Sequence, residues 1–186
     1  MALTCKPVTP ARWKDLETLF EGNGVCRGCW CMWNRLPSAD YKAGYGAGNK
    51  KAMKNLVKAG KTPGVLAYDG KTPVGWAAVG PRSEYRRLDA SRILKPVDAR
   101  ETWATPCFYT AKEARGKGVT VTLLKAAAAH AKRKGARLIE GYPVDTRGKK
   151  APAAFVWWGL APAFKKTGFK EVLRRSKTRP IMRKAL

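Results

Sequence analysis

Hydrophobic and polar positions change period several times along the chain. Leu3 to Val8 is a short strand-like run, and from Pro10 to Phe20 the apolar residues Trp13, Leu16, Leu19 and Phe20 fall on one helical stripe. Thr9 stands as the cap of that helix, with Pro10 in its first turn. Gly22 to Gly48 follows neither period, and a second helix is expected from Asn49 to Ala59, stopped by Gly60. Gly64–Tyr68 and Val74–Val79 read as strands joined by the turn Asp69-Gly-Lys-Thr-Pro73, the pattern of an antiparallel hairpin. Glu101 to Thr110 has the composition of a strand but carries Pro106, which demands an edge or a bulge.

Further along, Val119, Leu123, Ala127 and Ala131 recur every four residues in a helix predicted from Gly116 to Lys134 and closed by Gly135. Arg137 to Tyr142 is then a strand, and strand, glycine turn, helix, strand is by default a right-handed parallel unit. A helix over Leu160 to Lys166 stops at Gly168, and a basic hairpin runs from Phe169 to Met182. The expected fold class is α/β or α+β, one domain over residues 1–186, with a mixed sheet of about six to seven strands and about four helices.

Composition narrows the classes. The chain has 186 residues, a length that suits one domain, and 45% of them are hydrophobic, including seven Trp. That is too apolar for a disordered basic tail, although 38 Lys and Arg against 13 Asp and Glu give a net charge of +25. The longest apolar stretch, Phe155 to Phe164, is broken by Gly and Pro and falls short of the roughly 18–20 residues of a membrane span. Met1 to Pro10 lacks the pattern of a secretory leader, and five cysteines, an odd number in a chain this large, suit a reducing compartment; the expected location is cytoplasmic. A single histidine, His130, excludes zinc hydrolases of the His-Glu-x-x-His kind, and its mid-helix position argues against a hydrolytic triad.

Arg115-Gly-Lys-Gly-Val-Thr120 lies between a strand and a long helix, where unpaired backbone N–H groups converge on an anion. Two glycines let a pyrophosphate approach the backbone, and Arg115 and Lys117 add positive charge; an incidental basic turn is the plain alternative. The nucleoside-triphosphate loop Gly-x-x-x-x-Gly-Lys-Ser/Thr is absent. A dinucleotide site would use Glu140 on the ribose, but Val121 stands where its third glycine should be.

The run Cys107-Phe-Tyr-Thr-Ala-Lys-Glu-Ala-Arg-Gly-Lys-Gly-Val-Thr-Val-Thr-Leu-Leu resembles the acetyl-CoA signature of the GNAT N-acetyltransferases, and Phe164-Lys-Lys-Thr-Gly-Phe169 is similar to the ending of that fold's last helix. The order of elements agrees over most of the chain. The resemblance implies acetyl-CoA as cosubstrate, with two central strands splayed at a bulge and the pantetheine arm paired to the backbone of Cys107, Phe108 and Tyr109. It places the pyrophosphate on Arg115, Gly116, Lys117, Gly118, Val119 and Thr120. The chain departs from the family pattern at Glu113, where Gln or Arg is common, and at Phe164, where a Tyr commonly protonates the departing thiolate.

Acetyl transfer to an amine needs a group that takes the ammonium proton, and few carboxylates are available. Glu140 is the first candidate base because strand alternation puts it on one face with Leu138 and Tyr142, next to the splay, and Tyr142 is the candidate proton donor. Glu101 is the second candidate and Asp145 the third; an ion pair with the many Lys and Arg is the alternative role for Glu140.

Cys26-Arg-Gly-Cys-Trp-Cys-Met-Trp33 offers three thiols, one short of a closed zinc site, and is read as a hydrophobic cluster without metal. Similar Cys-Trp-Cys-Met segments border the acceptor site in relatives, which implies Trp30, Met32 and Trp33 as pocket walls and Arg35 as an anchor for an acidic group. The acceptor itself, a small-molecule, peptide or protein amine, is left open, as is the choice between monomer and homodimer; no membrane partner is expected. A competing reading is an RNA- or ribosome-associated basic module, prompted by nine Lys and Arg facing only Glu171 between Lys165 and Lys184. The charge beyond what coenzyme A needs points to a polyanionic or acidic partner.

Overall fold

The hairpin and the central helix predicted from periodicity organise the molecule. A computed structural model describes residues 3–22, 24–152 and 155–186. Strands β1 (Leu3–Pro7), β2 (Gly64–Asp69) and β3 (Thr72–Ala78) pair antiparallel in sequence order, with Gly70 in the left-handed region at φ +58° in the tight turn between β2 and β3. Alternation along these strands gives each face its own core. Leu66, Tyr68, Trp76 and Ala78 turn to one side, where they meet α1 (Trp13–Glu21) and α4 (Ala47–Lys58); Val65, Ala67, Ala77 and Val79 turn to the other, where α6 (Val119–Arg133) lies.

The helix α6 buries Val119, Leu123, Ala127 and Ala131, the four positions of its sequence stripe, and Gly135 ends it at φ +86°. After it comes β7 (Leu138–Gly141), parallel to β5 (Trp103–Thr105) and antiparallel to β9 (Pro180–Ala185), which in turn carries the edge strand β8 (Lys170–Arg174). Helix α7 (Ala161–Lys166) packs on the end of β7, and it approaches so closely that a Cβ on Gly141 would sit 2.1 Å from the Phe164 ring.

Two sheets result, β1-β2-β3-β6 and β4-β5-β7-β9-β8, where β4 is Gly80–Pro81 and β6 is Phe108–Thr110. The expected single strand from Glu101 to Thr110 is therefore divided at Pro106 and Cys107: β5 stays with β7, while β6 crosses to β3. Proline has no N–H to give to a ladder, so the break falls where the ladder must be interrupted. The structure has nine strand segments and seven α-helices among the described residues, more than expected. The additional helices are α2 (Gly24–Cys29), α3 (Ser38–Ala43) and α5 (Arg86–Ala90), each of five or six residues and so shorter than the window in which a helical period can be recognised. A third core, with Tyr85, Leu88, Tyr142, Trp158 and Ile181, lies beneath the segment that carries α5. No helix of the described residues is long and apolar enough to cross a membrane.

Candidate active site

The break in the β5–β6 strand opens a gap between β6 and β7. Cys107 accepts a hydrogen bond from the Ala78 amide at 2.8 Å, Ala111 donates to Val74 at 2.9 Å, and Tyr109 is paired with Trp76. Alternation along a strand then turns the backbone of Phe108 and Thr110 the other way, to the gap. Of the three residues expected to line it, Phe108 does so; Cys107 and Tyr109 address β3 instead, and Thr110 joins Phe108 on the open edge. The Phe108 N–H donates to the Trp157 carbonyl at 2.7 Å, and the Arg115 Nε donates to the Thr110 carbonyl at 3.3 Å. Beyond β7 the chain bridges in parallel fashion at Val144 to Leu160, so the segment through Trp157 to Leu160 occupies the place of a strand between the splayed pair.

At one end of the gap, a single 3-10 turn at Lys112–Ala114 leads to Gly116 at φ +76° and Gly118 at φ +79°. The backbone reverses twice in the left-handed region there, which glycine alone tolerates without strain. Gly118 is the N-cap of α6, so the N–H groups of Val119, Thr120 and Val121 have no carbonyl within the helix to pair with. Space around both glycines is open, since a Cβ on either would meet nothing within 4 Å. Lys112, Arg115 and Lys117 are exposed around this turn, with Glu113 the single acidic residue among them. Unpaired amides, open space and three cations fit a diphosphate.

The nominated proton-transfer residues lie elsewhere. Glu140 is fully buried: Oε1 accepts from Tyr142 Oη at 2.6 Å and from Arg82 Nε at 3.4 Å, and Oε2 accepts from Arg183 Nε at 2.6 Å. Arg82 also binds Asp89 and the Leu94 carbonyl, and Arg183 binds Asp98 at 2.7 Å. The alternation that put Glu140 and Tyr142 on one face holds, but this face is covered by Arg82 and by the segment that carries α5. Burial, with Glu140 beside it, pushes the Tyr142 phenol far above its usual range, so it keeps its proton. This corrects the expectation that Glu140 and Tyr142 face the splay; their geometry is that of an ion-pair network. Glu101 is exposed two residues before β5, about 16 Å of extended chain from Pro106. Asp145 accepts from Arg174 at 2.9 Å and from the Arg147 amide at 3.1 Å, and those bonds lower its carboxyl below the usual range.

The Cys and Trp segment divides as well. Trp30 is buried in the α1 core, stacked on Trp13 at 5.7 Å, and Met32 is buried in the same cluster, so neither is a pocket wall. Arg35 is 6% exposed, with Nη2 on the Tyr85 hydroxyl at 2.9 Å and Nη1 on Glu84, and it ties the chain before α3 to the chain after β4 instead of facing an acceptor. Only Trp33 is open, 38% exposed, with the Arg87 guanidinium 3.8 Å above its ring. Cys31 is buried, with the Trp76 indole N–H on its sulfur at 3.2 Å. Among the described residues no group of three or more His, Cys, Asp or Glu is placed to hold a metal.

Sequence reasoning missed Asn34 and Trp158. The buried Asn34 amide donates to the Pro106 carbonyl at 3.4 Å, directly at the strand break, and Trp158 stacks on Trp157 at 4.3 Å. Both line a cavity of about 570 Å³ together with Trp33, Arg87 and Leu94, which sets this cavity against the break. The signal available was the apolar Phe155–Leu160 run, weighed only as a membrane span. In the basic hairpin, Arg174 is bound to Glu171 and Asp145, and Arg175 to the carbonyls of Ile93, Lys95 and Pro96, so these cations are engaged within the fold.

Residues 30–153, two thirds of the chain, match the model of the acetyltransferase (GNAT) family. Among solved structures, the chain is similar to an N-acetyltransferase from Thermoplasma acidophilum crystallised with coenzyme A, at 18% identity over the full length of both chains and a TM-score of 0.56. It is also similar to GNAT-family acetyltransferases from Streptococcus pneumoniae (15% identity, 100% and 99% of the two chains, TM-score 0.57) and Listeria monocytogenes (9% identity, 99% and 95%, TM-score 0.60). Among curated proteins no match is found.

Proposed function

The chain belongs to the acetyltransferase (GNAT) family, and from that premise we propose how its residues carry acetyl transfer from acetyl-CoA to the primary amine of an acceptor. The diphosphate of the cosubstrate is held by the amides of Val119 to Val121 and by Lys112, Arg115 and Lys117, and the pantetheine arm lies along the edge of Phe108 and Thr110. When bound, the cosubstrate supplies an activated thioester carbonyl. The Phe108 N–H, at the break, now donates to the Trp157 carbonyl and is the backbone donor that polarises such a carbonyl once that bond is exchanged.

The observation that carries this reading is the division of one strand at Pro106–Cys107, which turns the backbone of Phe108 and Thr110 away from β3, with the Trp157 carbonyl and Arg115 as their present partners, beside the glycine turn. Phe164 has no proton to give and is enclosed by Phe108 and Phe169 at 5.8 and 5.1 Å, so the leaving thiolate takes its proton from water. Since Glu140, Glu101 and Asp145 are held away from the gap or bound to Arg, the acceptor ammonium gives its proton to water as well. A cytoplasmic, reducing setting belongs to this reading, supported by five cysteines that are all free thiols.

Calorimetric titration with acetyl-CoA and a thiol-release assay over a panel of amines test the proposal. Micromolar binding and amine-dependent thiol release are expected; absence of both, in folded protein, would overturn it.

A further inference from the structure

The cavity beside the strand break has a chemical character that the activity alone does not explain. It is walled by Trp33, Trp158, Leu88 and Leu94, and its charged groups are Arg86 and Arg87; among the described residues no Asp or Glu lines it. Asp89, the nearest carboxylate in sequence, is turned away to Arg82. An amine acceptor is a cation before it reacts, so a cavity with two guanidinium groups repels it unless the acceptor also brings negative charge.

Arg87 is prepared for such a charge. Its guanidinium lies 3.8 Å over the Trp33 ring, and its Nε donates to the Leu36 carbonyl at 3.2 Å, which fixes the plane of the group. Its Nη2 is buried and has no hydrogen-bond partner. A buried donor left unpaired is unfavourable, and a small shift of the guanidinium towards an oxyanion in the cavity removes the deficit. Arg86 is exposed at the cavity and makes no ion pair among the described residues, so it can add a second, solvent-side cation.

We infer that the acceptor is a small primary amine that also carries a carboxylate and an apolar or aromatic body. The carboxylate binds Arg87 and Arg86, the body lies between Trp33 and Trp158, and the amine points to the break marked by Asn34 and Pro106. A volume of about 570 Å³ suits a small molecule of this kind. Polycationic amines are rejected by the same charges. The inference rests on the acetyltransferase reading for the amine's direction, and on the cavity alone for the carboxylate.

The test uses two readouts. In the first, calorimetry compares N-acetylphenylalanine with N-acetylphenylalaninamide on the full chain, without acetyl-CoA. The acid is expected to bind about ten- to a hundred-fold more tightly, the range of one charge-assisted hydrogen bond. Equal affinity, or no binding of either at millimolar concentration, overturns the inference. In the second, thiol release is measured with phenylalanine, phenylalaninamide and spermidine; preference for spermidine or for the amide overturns it. Arg87→Ala should bring the acid-to-amide ratio close to one, and Arg86→Ala, a rim residue without structural bonds, should lower it severalfold in a protein of unchanged melting temperature. A ratio that survives both substitutions refutes the assignment. Failure to bind acetyl-CoA would sink the activity and leave the first readout standing.

Discussion

Replacing Glu140 by Gln keeps the shape of the side chain and removes the negative charge shared by two buried guanidinium groups. Arg82 and Arg183 are only 8% and 5% exposed, and Glu140 reaches both through separate oxygens at 3.4 and 2.6 Å. Removing one partner of a buried ion pair costs about 3–5 kcal/mol, because the remaining charge stays desolvated. For a chain of this length each kcal/mol shifts the melting temperature by about 2–4 °C, so Glu140→Gln should melt roughly 6–20 °C lower than the parent. Asp98→Asn, which removes the half-open second partner of Arg183, should give a smaller drop that shrinks further at high salt. Thermal unfolding by circular dichroism measures both, and turnover is then followed well below each melting point. Glu140→Gln should retain kcat within about threefold, whereas loss of a general base costs 10²–10⁴-fold. A variant with an unchanged melting temperature and a hundredfold lower kcat would refute the structural role and restore Glu140 as a proton acceptor.

Other expectations follow from the same geometry. Arg115→Ala and Lys117→Ala should each raise the KM for acetyl-CoA by about tenfold at low salt, less at high salt, because both cations are exposed. His130 is the single imidazole, buried against Trp103, and burial with Arg133 and Lys134 nearby lowers it from 6.5 to about 4. Between those values the unfolded chain binds a proton that the folded chain refuses, so stability is complete above about pH 6.5 and falls towards pH 4, by up to about 3 kcal/mol. One imidazole resonance that titrates near 6.5 in the folded protein would contradict this. Gly141→Ala, whose new methyl would meet Phe164, should lose about 1–3 kcal/mol in chemical unfolding, and Phe164→Leu in the same chain should recover part of it.

The elements that carry their own period were legible from the residues: the β2–β3 hairpin, the four-residue stripe of α6, and the two positive-φ glycines before it all appear where the pattern put them. Local chemistry also located the open glycine turn proposed to hold the diphosphate, since a glycine pair before a helix acts through its own backbone. Of the cavity proposed for the acceptor only Trp33 was named from the residues, because Trp33, Arg87 and Trp158 come from three separate segments and meet only in the fold. Glu140 shows the same limit from the other direction. Alternation gave its face, but the arginines that cover that face lie 58 and 43 residues away, and no local pattern announces them. Met32 and Trp30 were placed by analogy with relatives, while their apolar character alone would have put them in the core where they are found.

The Trp157 carbonyl holds the one amide that a pantetheine arm needs at the break, and the indole of Trp157 is stacked on Trp158, which walls the acceptor cavity. Whatever displaces that carbonyl from Phe108 also shifts the stack, so loading one half of the site redraws the wall of the other. The kinetic consequence is a preferred order, cosubstrate before acceptor, with the acceptor bound more tightly by the loaded protein than by the free one. Product inhibition by coenzyme A that is competitive with acetyl-CoA and noncompetitive with the amine would display this order, and a random pattern would show that the two indoles move independently.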